Sequence, residues 1–275
     1  MAGSSVGTGL PDGTLYFSTA SLGGSGVSTL NLGTDPTLKP AQTAIPLEFA
    51  SAVNINLDRA ISINTSHLTV RAVNAAHPNT LRSVRVGLAA PYVSLHGYQT
   101  GGVYAGTSGW TPAPGASTLT VSADNLDIGG QFQIDGFRTV GLTGRQDIRF
   151  ITPSAYANVA GAANSYQPVP GVLQTSADLS LTASRIYPAT GSTSILVADN
   201  SYDDALGKHH DSKRSISFQR TGGLAGTPFS VGGRLIVNAA TIQQNGALYA
   251  PAGQIVLGVA SDANDSNAFS LLSFP

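Results

Sequence analysis

Cysteine is absent from the 275 residues, which excludes disulfide staples and thiolate-held metal centres. A chain that must stay unfolded during export is also well served by having no thiols. Charge is scarce: Asp, Glu, Lys and Arg make up 11% of the sequence, against roughly 25% in an ordinary globular chain. The net charge is −1, with both signs scattered, so no basic face points to nucleic acid or anionic lipid. No apolar run approaches the roughly 18 residues of a membrane span. Glu and Lys are rare and there is one Met, so strong helix formers are thin on the ground and helix is a poor expectation. Phosphate-cradling Gly-Lys-Ser/Thr is missing, and no Gly-x-Ser-x-Gly elbow sits in a strand-to-helix context.

What is present is aliphatic alternation in short bursts. Val53, Ile55 and Leu57 alternate with Asn54, Asn56 and Asp58, followed by Ile61 and Ile63, then Leu68 and Val70. The same two-residue period returns at Leu119/Val121, Leu126/Ile128, Phe132/Ile134, Val140/Leu142, Ile148/Phe150, Leu179/Leu181, Ile195/Val197, Ile216/Phe218, Leu235/Val237 and Ile255/Leu257. Each burst predicts a strand with one dry face and one wet face. Gly, Asn, Asp and Ser fill the gaps as turn formers. Many short strands without helical segments predict an all-β fold.

Antiparallel sandwiches and barrels advertise themselves by hairpin dipeptides, and Asn245-Gly246 is the one clean example here. Instead a degenerate motif recurs, a small residue followed by two apolar residues one apart. It reads Ala90-Pro91-Tyr92-Val93-Ser94-Leu95, Ala123-Asp124-Asn125-Leu126-Asp127-Ile128 and, more loosely, Ala252-Gly253-Gln254-Ile255-Val256-Leu257. Degenerate repetition suits a solenoid, in which each rung touches only its neighbours. A parallel β-helix over residues 1–275, as one domain, is the expected architecture. Rungs of about 20 residues would give about a dozen levels and, at about 4.8 Å each, a rod of roughly 55–60 Å. Three stretches break the rhythm and are expected to project as loops: 97–117, 153–173 and 199–214.

Two segments resemble a known family. The stretch Gly233-Arg234-Leu235-Ile236-Val237-Asn238-Ala239-Ala240-Thr241-Ile242-Gln243-Gln244-Asn245-Gly246-Ala247-Leu248-Tyr249-Ala250-Pro251-Ala252-Gly253-Gln254-Ile255-Val256-Leu257-Gly258 is similar to the repeats of filamentous haemagglutinin-like exoproteins. Those repeats join a strand ending in Ala to an Ile-Gln-x-x-Gly turn and an Ala-Pro-x-Gly-x-Ile-x-Leu strand. Ala177-Asp178-Leu179-Ser180-Leu181-Thr182-Ala183-Ser184-Arg185-Ile186-Tyr187-Pro188 resembles another of their rungs. The likeness is best over about residues 117–260. It implies a right-handed parallel β-helix, export by two-partner secretion through an outer-membrane transporter, and residence outside the bacterium or on its surface. The implied role is adhesion, biofilm formation or cell contact, with a receptor or glycan on a host or neighbouring cell as partner. Family members are much longer than this chain, so an excerpt of a larger exoprotein is expected.

Candidate chemistry is sparse, and no enzyme activity, cofactor or metal is expected. Asp124, Asp127 and Asp135 are close enough in sequence to raise the paired carboxylates of a carbohydrate-active enzyme, the rival function on the same fold, although Asp also serves turns. Asp199, Asp203, Asp204, His209, His210 and Asp211 gather possible metal ligands, but Lys208, Lys213 and Arg214 interleave with them and oppose a cation. Tyr98, Tyr104 and Trp110, in a Gly-rich stretch, offer aromatic faces to a sugar ring and are the candidate ligand contacts. A further rival is a self-assembling fibre subunit, built through head-to-tail pairing of free strand edges, with the apolar run Phe269-Ser270-Leu271-Leu272-Ser273-Phe274 as cap or docking segment.

Overall fold

A computed structural model describes residues 22, 25–33, 46–65, 67–71, 82–97, 115–151, 156–158, 166–168, 170–198, 202–204, 207–209, 214–222 and 225–258. The described residues contain strands and no helix. In chain order the strands begin with β1 (Thr29–Gly33), β2 (Leu47–Phe49), β3 (Val53–Asn56), β4 (Ala60–Asn64) and β5 (His67–Val70). Next come β6 (Arg85–Ala89), β7 (Tyr92–His96), β8 (Ser117–Gly129) and β9 (Gln131–Ile134). β10 (Phe137–Ile151) is followed by β11 (Tyr156–Asn158), β12 (Tyr166–Pro168) and β13 (Gly171–Thr175). The chain then forms β14 (Asp178–Pro188), β15 (Thr193–Ala198), β16 (Tyr202–Asp204) and β17 (Gly207–His209). It finishes with β18 (Ser215–Gln219), β19 (Arg234–Ala239), β20 (Thr241–Asn245) and β21 (Gln254–Leu257).

Two parallel sheets account for most of these strands. The larger has ten strands, its main path running β1-β4-β7-β8-β10-β14-β18-β20 with β3 and β6 as a branch onto β8. The smaller has seven, ordered β2-β5-β9-β13-β15-β19-β21. From β8 onward the chain visits the sheets alternately, and each strand pairs parallel to the one laid down a visit earlier. The first half of β8 pairs with β6 and the second half with β7, so a single long strand continues what two shorter ones began. A register shift between Gly144 and Asp147 marks the same junction in β10.

The recurring motif has a direct structural meaning at two of its three sites. Tyr92 to Leu95 stacks in register on Asn125 to Ile128, so the two copies are successive levels of one sheet. The third copy, ending Ile255-Val256-Leu257, lies in the smaller sheet. Asn245-Gly246 makes no hairpin, because β20 runs parallel to β18.

The alternating bursts converge on one core between the sheets. Ile61, Ile63, Leu68, Leu119, Leu126, Phe132, Phe137, Phe150, Leu181, Phe218 and Leu235 are all essentially inaccessible and belong to a single cluster. Phe49 and Phe137 meet edge to face, with ring centroids 6.4 Å apart, a preferred aromatic geometry. Two expected pairs are placed differently: Ile255 is only partly buried and Leu257 is exposed, and the pair Ile195/Val197 turns away from the main core. Leu196 and Ala198 point into the main core, while Ile195 and Val197 join Val172 and Ile236 in a second buried cluster. In register, Val172, Ile195, Ile236 and Val256 form one column. The smaller sheet is therefore dry on both faces along this column. The unbroken runs Val172-Leu173, Ile195-Leu196-Val197 and Leu235-Ile236-Val237 are what two-sided burial looks like in sequence.

The main path of the larger sheet is eight strands deep, about 34 Å at the usual interstrand spacing. Within the described residues that is fewer than the dozen levels expected, in part because excursions consume chain; residues 1–21 and 259–275 lie outside them. Leu142 follows Val121 by a short circuit, but Leu181 stacks on Leu142 only after the stretch containing β11 and β12. This excursion ends at residue 170, since Gly171–Thr175 is a strand of the smaller sheet. β11 pairs antiparallel with β12, and β16 with β17, so both later excursions contain a small hairpin. In the smaller sheet β5 pairs directly with β9, with no strand between them for the circuit that holds β6 and β7. Residues 98–114, which follow β7, lie outside the described residues.

Corners between the sheets are tight, and two glycines interlock at one of them. Gly130 has φ +66°, and a Cβ built there would stand 2.0 Å from the Gly97 carbonyl oxygen. A Cβ at Gly97 would in turn stand 1.8 Å from the Gln131 carbonyl, and the Gly97 amide donates to the Gly129 carbonyl at 2.8 Å. Gly191 shares the positive φ, +65°, but faces open space. Left-handed strain alone costs an L-residue about 1–2 kcal/mol, so we expect Gly191→Ala to lose that much. Gly130→Ala should lose at least twice as much in urea unfolding, because the Gly97 backbone must also move. In the core, Leu142→Ala should cost about 2–5 kcal/mol by the same measurement.

Candidate functional site

Outward-facing positions of the larger sheet carry a charged ladder. In β8, Leu126 and Ile128 point inward, so Asn125 and Asp127 face out; in β10, Ile148 and Phe150 point inward, so Asp147 and Arg149 face out. The register sets Asp127 beside Arg149 and Asp147 beside Arg185. Arg149 Nε donates to Asp127 Oδ1 at 2.7 Å and its Nη2 to Oδ2 at 2.6 Å. Tyr92, one level earlier, donates its hydroxyl to Asp127 Oδ2 at 2.8 Å. The next level repeats the design. Arg185 Nε and Nη2 donate to Asp147 Oδ1 and Oδ2 at 2.6 and 2.8 Å, and the Tyr187 hydroxyl donates to Asp147 Oδ2 at 3.2 Å.

Although these side chains leave the outer face, the neighbouring levels cover them. The Asp127 and Asp147 side chains keep 5% and 11% of their accessible surface, the Arg149 and Arg185 side chains 42% and 27%. Hydrogen bonding to its carboxylate pushes each guanidinium above its ordinary pKa. Burial, reinforced by the adjacent carboxylate, raises the phenols of Tyr92 and Tyr187. Each carboxylate thus has a forked Arg and a Tyr hydroxyl on it, the strong bidentate geometry for such a pair. Both oxygens are occupied, which suits a clamp between levels better than a nucleophile or proton carrier.

The other sequence candidates disperse. Asp124 binds Arg145 at 2.8 Å on an open surface, where such pairs contribute little. Asp135 Oδ1 lies 3.0 Å from His67 Nε2, beside β5 and β9 of the smaller sheet. The three carboxylates considered for glycan hydrolysis therefore each face a different basic side chain. Asp178 accepts from the Ser215 amide and hydroxyl at 2.9 and 3.0 Å, joining β14 to β18. Tyr98, Tyr104 and Trp110 lie outside the described residues. So do Asp199, His210, Asp211 and Lys213, while Asp203, Asp204, Lys208 and His209 fall on β16 and β17. Among the described residues no three His, Asp or Glu side chains converge as metal ligands.

Sequence reasoning missed the ladder, and the signal for it lay in triplets centred on inward residues. Tyr92-Val93-Ser94, Asn125-Leu126-Asp127, Asp147-Ile148-Arg149 and Arg185-Ile186-Tyr187 align level on level, and their outer positions are complementary in charge. Compared with known proteins, the chain matches no family model, no curated protein and no solved structure.

Removing one partner of a buried ion pair costs about 3–5 kcal/mol, whereas replacing both with apolar residues is often neutral. We therefore expect Arg185→Met to destabilise by an amount in that range in urea unfolding. The double variant Asp147→Leu, Arg185→Met should recover most of the loss, and a double variant no better than the single would reject the clamp. A second test concerns His96, half-buried at the end of β7, whose pKa burial lowers from 6.5. The folded state favours neutral imidazole while the unfolded chain takes up the proton. This contribution is present above about pH 6.5 and lost as pH falls below it. The stability difference between about pH 7.5 and about pH 5 should shrink in His96→Gln, read by thermal unfolding across that range.

Proposed function

We propose that this chain is a right-handed parallel β-helix from a large secreted bacterial surface protein resembling the filamentous haemagglutinin-like exoproteins, and that its role is structural and adhesive. The observation that carries this is the parallel register, in which strands alternate between two sheets and each stacks on the strand one circuit earlier. A chain that circles in this way is a solenoid, and crossovers between parallel strands of one sheet are right-handed in about 98% of cases. Stacked circuits generate length and rigidity, the properties of a stalk that holds binding elements away from a cell. The carboxylates support a scaffold role too, since Asp127 and Asp147 are committed to joining levels.

In this reading the stretches between β7 and β8, between β10 and β13, and between β15 and β18 are the displayed elements, as loops on rigid scaffolds commonly are. Tyr98, Tyr104 and Trp110 would present aromatic faces to a glycan or receptor on another cell. Export would run through an outer-membrane transporter, with the cysteine-free chain threading unfolded. Free strands at the ends of the stack would also allow copies to associate head to tail.

An antibody raised against this segment should label the surface of intact cells making the parent protein, and labelling should vanish when the transporter gene is deleted. Label found only after lysis, in cells with a working transporter, would reject the surface role. In parallel, purified protein should leave bacterial and plant polysaccharides uncut. Cleavage that disappears in Asp127→Asn would transfer the assignment to the carbohydrate-active enzyme.

A further inference from the structure

We propose that a groove on the outer face of the larger sheet, crossing β3, β6 and β8, binds a carboxylate-bearing sugar chain. The site would serve the adhesive role proposed above and depends on it only for its biological setting. The groove has a volume of about 390 Å³ and is lined by Asn54, Arg85, Gly87, Thr118 and Thr120 together with the Ala52–Val53 edge. That size lies within the usual range for small-ligand sites, roughly 300–1,000 Å³.

The register explains why the groove exists. Asn54, Gly87 and Thr120 occupy one column across three adjacent strands, and Arg85 stands beside Thr118 in the next column. Gly87 leaves the middle of the column without a side chain, so the floor drops to the backbone. A Cβ there would stand 3.0 Å from Asn54 Oδ1, so any larger residue would begin to close the depression.

The lining chemistry selects the ligand. An amide and two hydroxyls both donate and accept hydrogen bonds, matching the mixed donors and acceptors of sugar hydroxyls. Among the described residues no carboxylate lines the groove. Arg85 is exposed and forms no ion pair among the described residues, whereas Arg145, Arg149, Arg185 and Arg214 each face an Asp. An unmatched guanidinium fork fits a planar carboxylate in bidentate fashion. Among the described residues the lining carries no aromatic ring, and its one charged group is Arg85. A linear uronic-acid chain laid across the strands, with one carboxylate at Arg85 and neighbouring hydroxyls at Asn54, Thr118 and Thr120, satisfies these features.

The test is calorimetric titration of the whole chain, at low salt, with an oligogalacturonate hexamer and with the same hexamer after its carboxyls are reduced to alcohols. The acidic hexamer should bind with a dissociation constant of about 0.1–1 mM and the reduced one at least about tenfold more weakly. Arg85→Gln should lose at least about tenfold and Arg85→Lys less, since Lys keeps the charge but not the fork. Gly87→Val should weaken binding by filling the floor, while Arg220→Gln, the same change of charge at an exposed site away from the groove, should not. Circular dichroism of each variant separates lost binding from lost folding. Equal affinity for the two hexamers, unchanged affinity in folded Arg85→Gln, or no saturable binding up to about 10 mM would overturn the site. Attachment of protein-coated beads to cells separates the two proposals. Hexamer binding without any attachment would reject adhesion and leave the site standing, whereas attachment by a chain that binds no hexamer would reject the site alone.

Discussion

Parallel pairing of each circuit with the one before it is the constraint on which the rest of the molecule depends. Once Leu119, Val140, Leu179, Ile216 and Ile242 are set in one column by backbone hydrogen bonds, their side chains necessarily stack in line. An inward column stays dry if it is aliphatic at every level, and an outward column stays soluble if each level tolerates its neighbour. No circuit can bury its own inner face alone, so stability is shared between adjacent levels. The contacts between levels join residues one circuit apart in the chain, and parallel pairing of this kind forms slowly. Corners such as Gly97 and Gly130 matter for the same reason: one displaced carbonyl there shifts the register on which every later level is built.

Much of this was legible in the residues. Alternation located most inward positions, from Ile61 and Ile63 to Leu235 and Val237, because a half-buried strand leaves a two-residue period, but it passed over Val86, Leu88, Phe137, Leu173 and Ile186. The match of Ala90–Leu95 to Ala123–Ile128 even marked two strands that pair directly. Where the period failed, it failed for a physical reason. Ile195-Leu196-Val197 is apolar at every position, so alternation cannot say which residues face the main core, and the outward ones were taken for inward. Among the described residues there are fewer levels than the repeat length alone suggests, because a repeat length reads only the circuit and says nothing of chain spent on excursions, such as the hairpin of β11 and β12 inside the circuit between β10 and β13.

The charged ladder was illegible for a different reason. Asp127 and Arg149 are 22 positions apart, and Asp147 and Arg185 are 38 apart. No fixed offset links the two pairs, since the second spans an excursion and the first does not. Only the inward residue between the charges, Leu126 over Ile148 over Ile186, keeps the levels aligned. Hydrophobic positions therefore have to be placed first, and polar partners can be read only afterwards. Asp124, Asp127 and Asp135 looked like a group along the chain, yet the strand around Leu126 and the corner after Ile134 send them to separate basic partners.

The low charge content follows from the same stacking. In a sheet of this kind an outward side chain lies about 4.8 Å from its counterpart above and below, and like charges that close oppose each other. A column can carry charge only where sign alternates between levels, which is what Asp127 against Arg149 and Asp147 against Arg185 achieve. Elsewhere the economical solution is small and uncharged. The middle levels of three columns, Thr118 and Thr139, then Thr120, Gly141, Ser180 and Ser217, then Ser122, Thr143 and Thr182, are hydroxyls and glycine, and in the first of them Arg85 and Asp178 lie on either side of the two threonines. Hydroxyls and glycine accept identical neighbours at short range and remain wet. The scarcity of charge in the sequence is thus also the chemical requirement of levels laid in register. Arg85, beside Thr118 in the first of these columns, has no ion-pair partner among the described residues, and the stacking of the sheet gives no reason for a charge at that level.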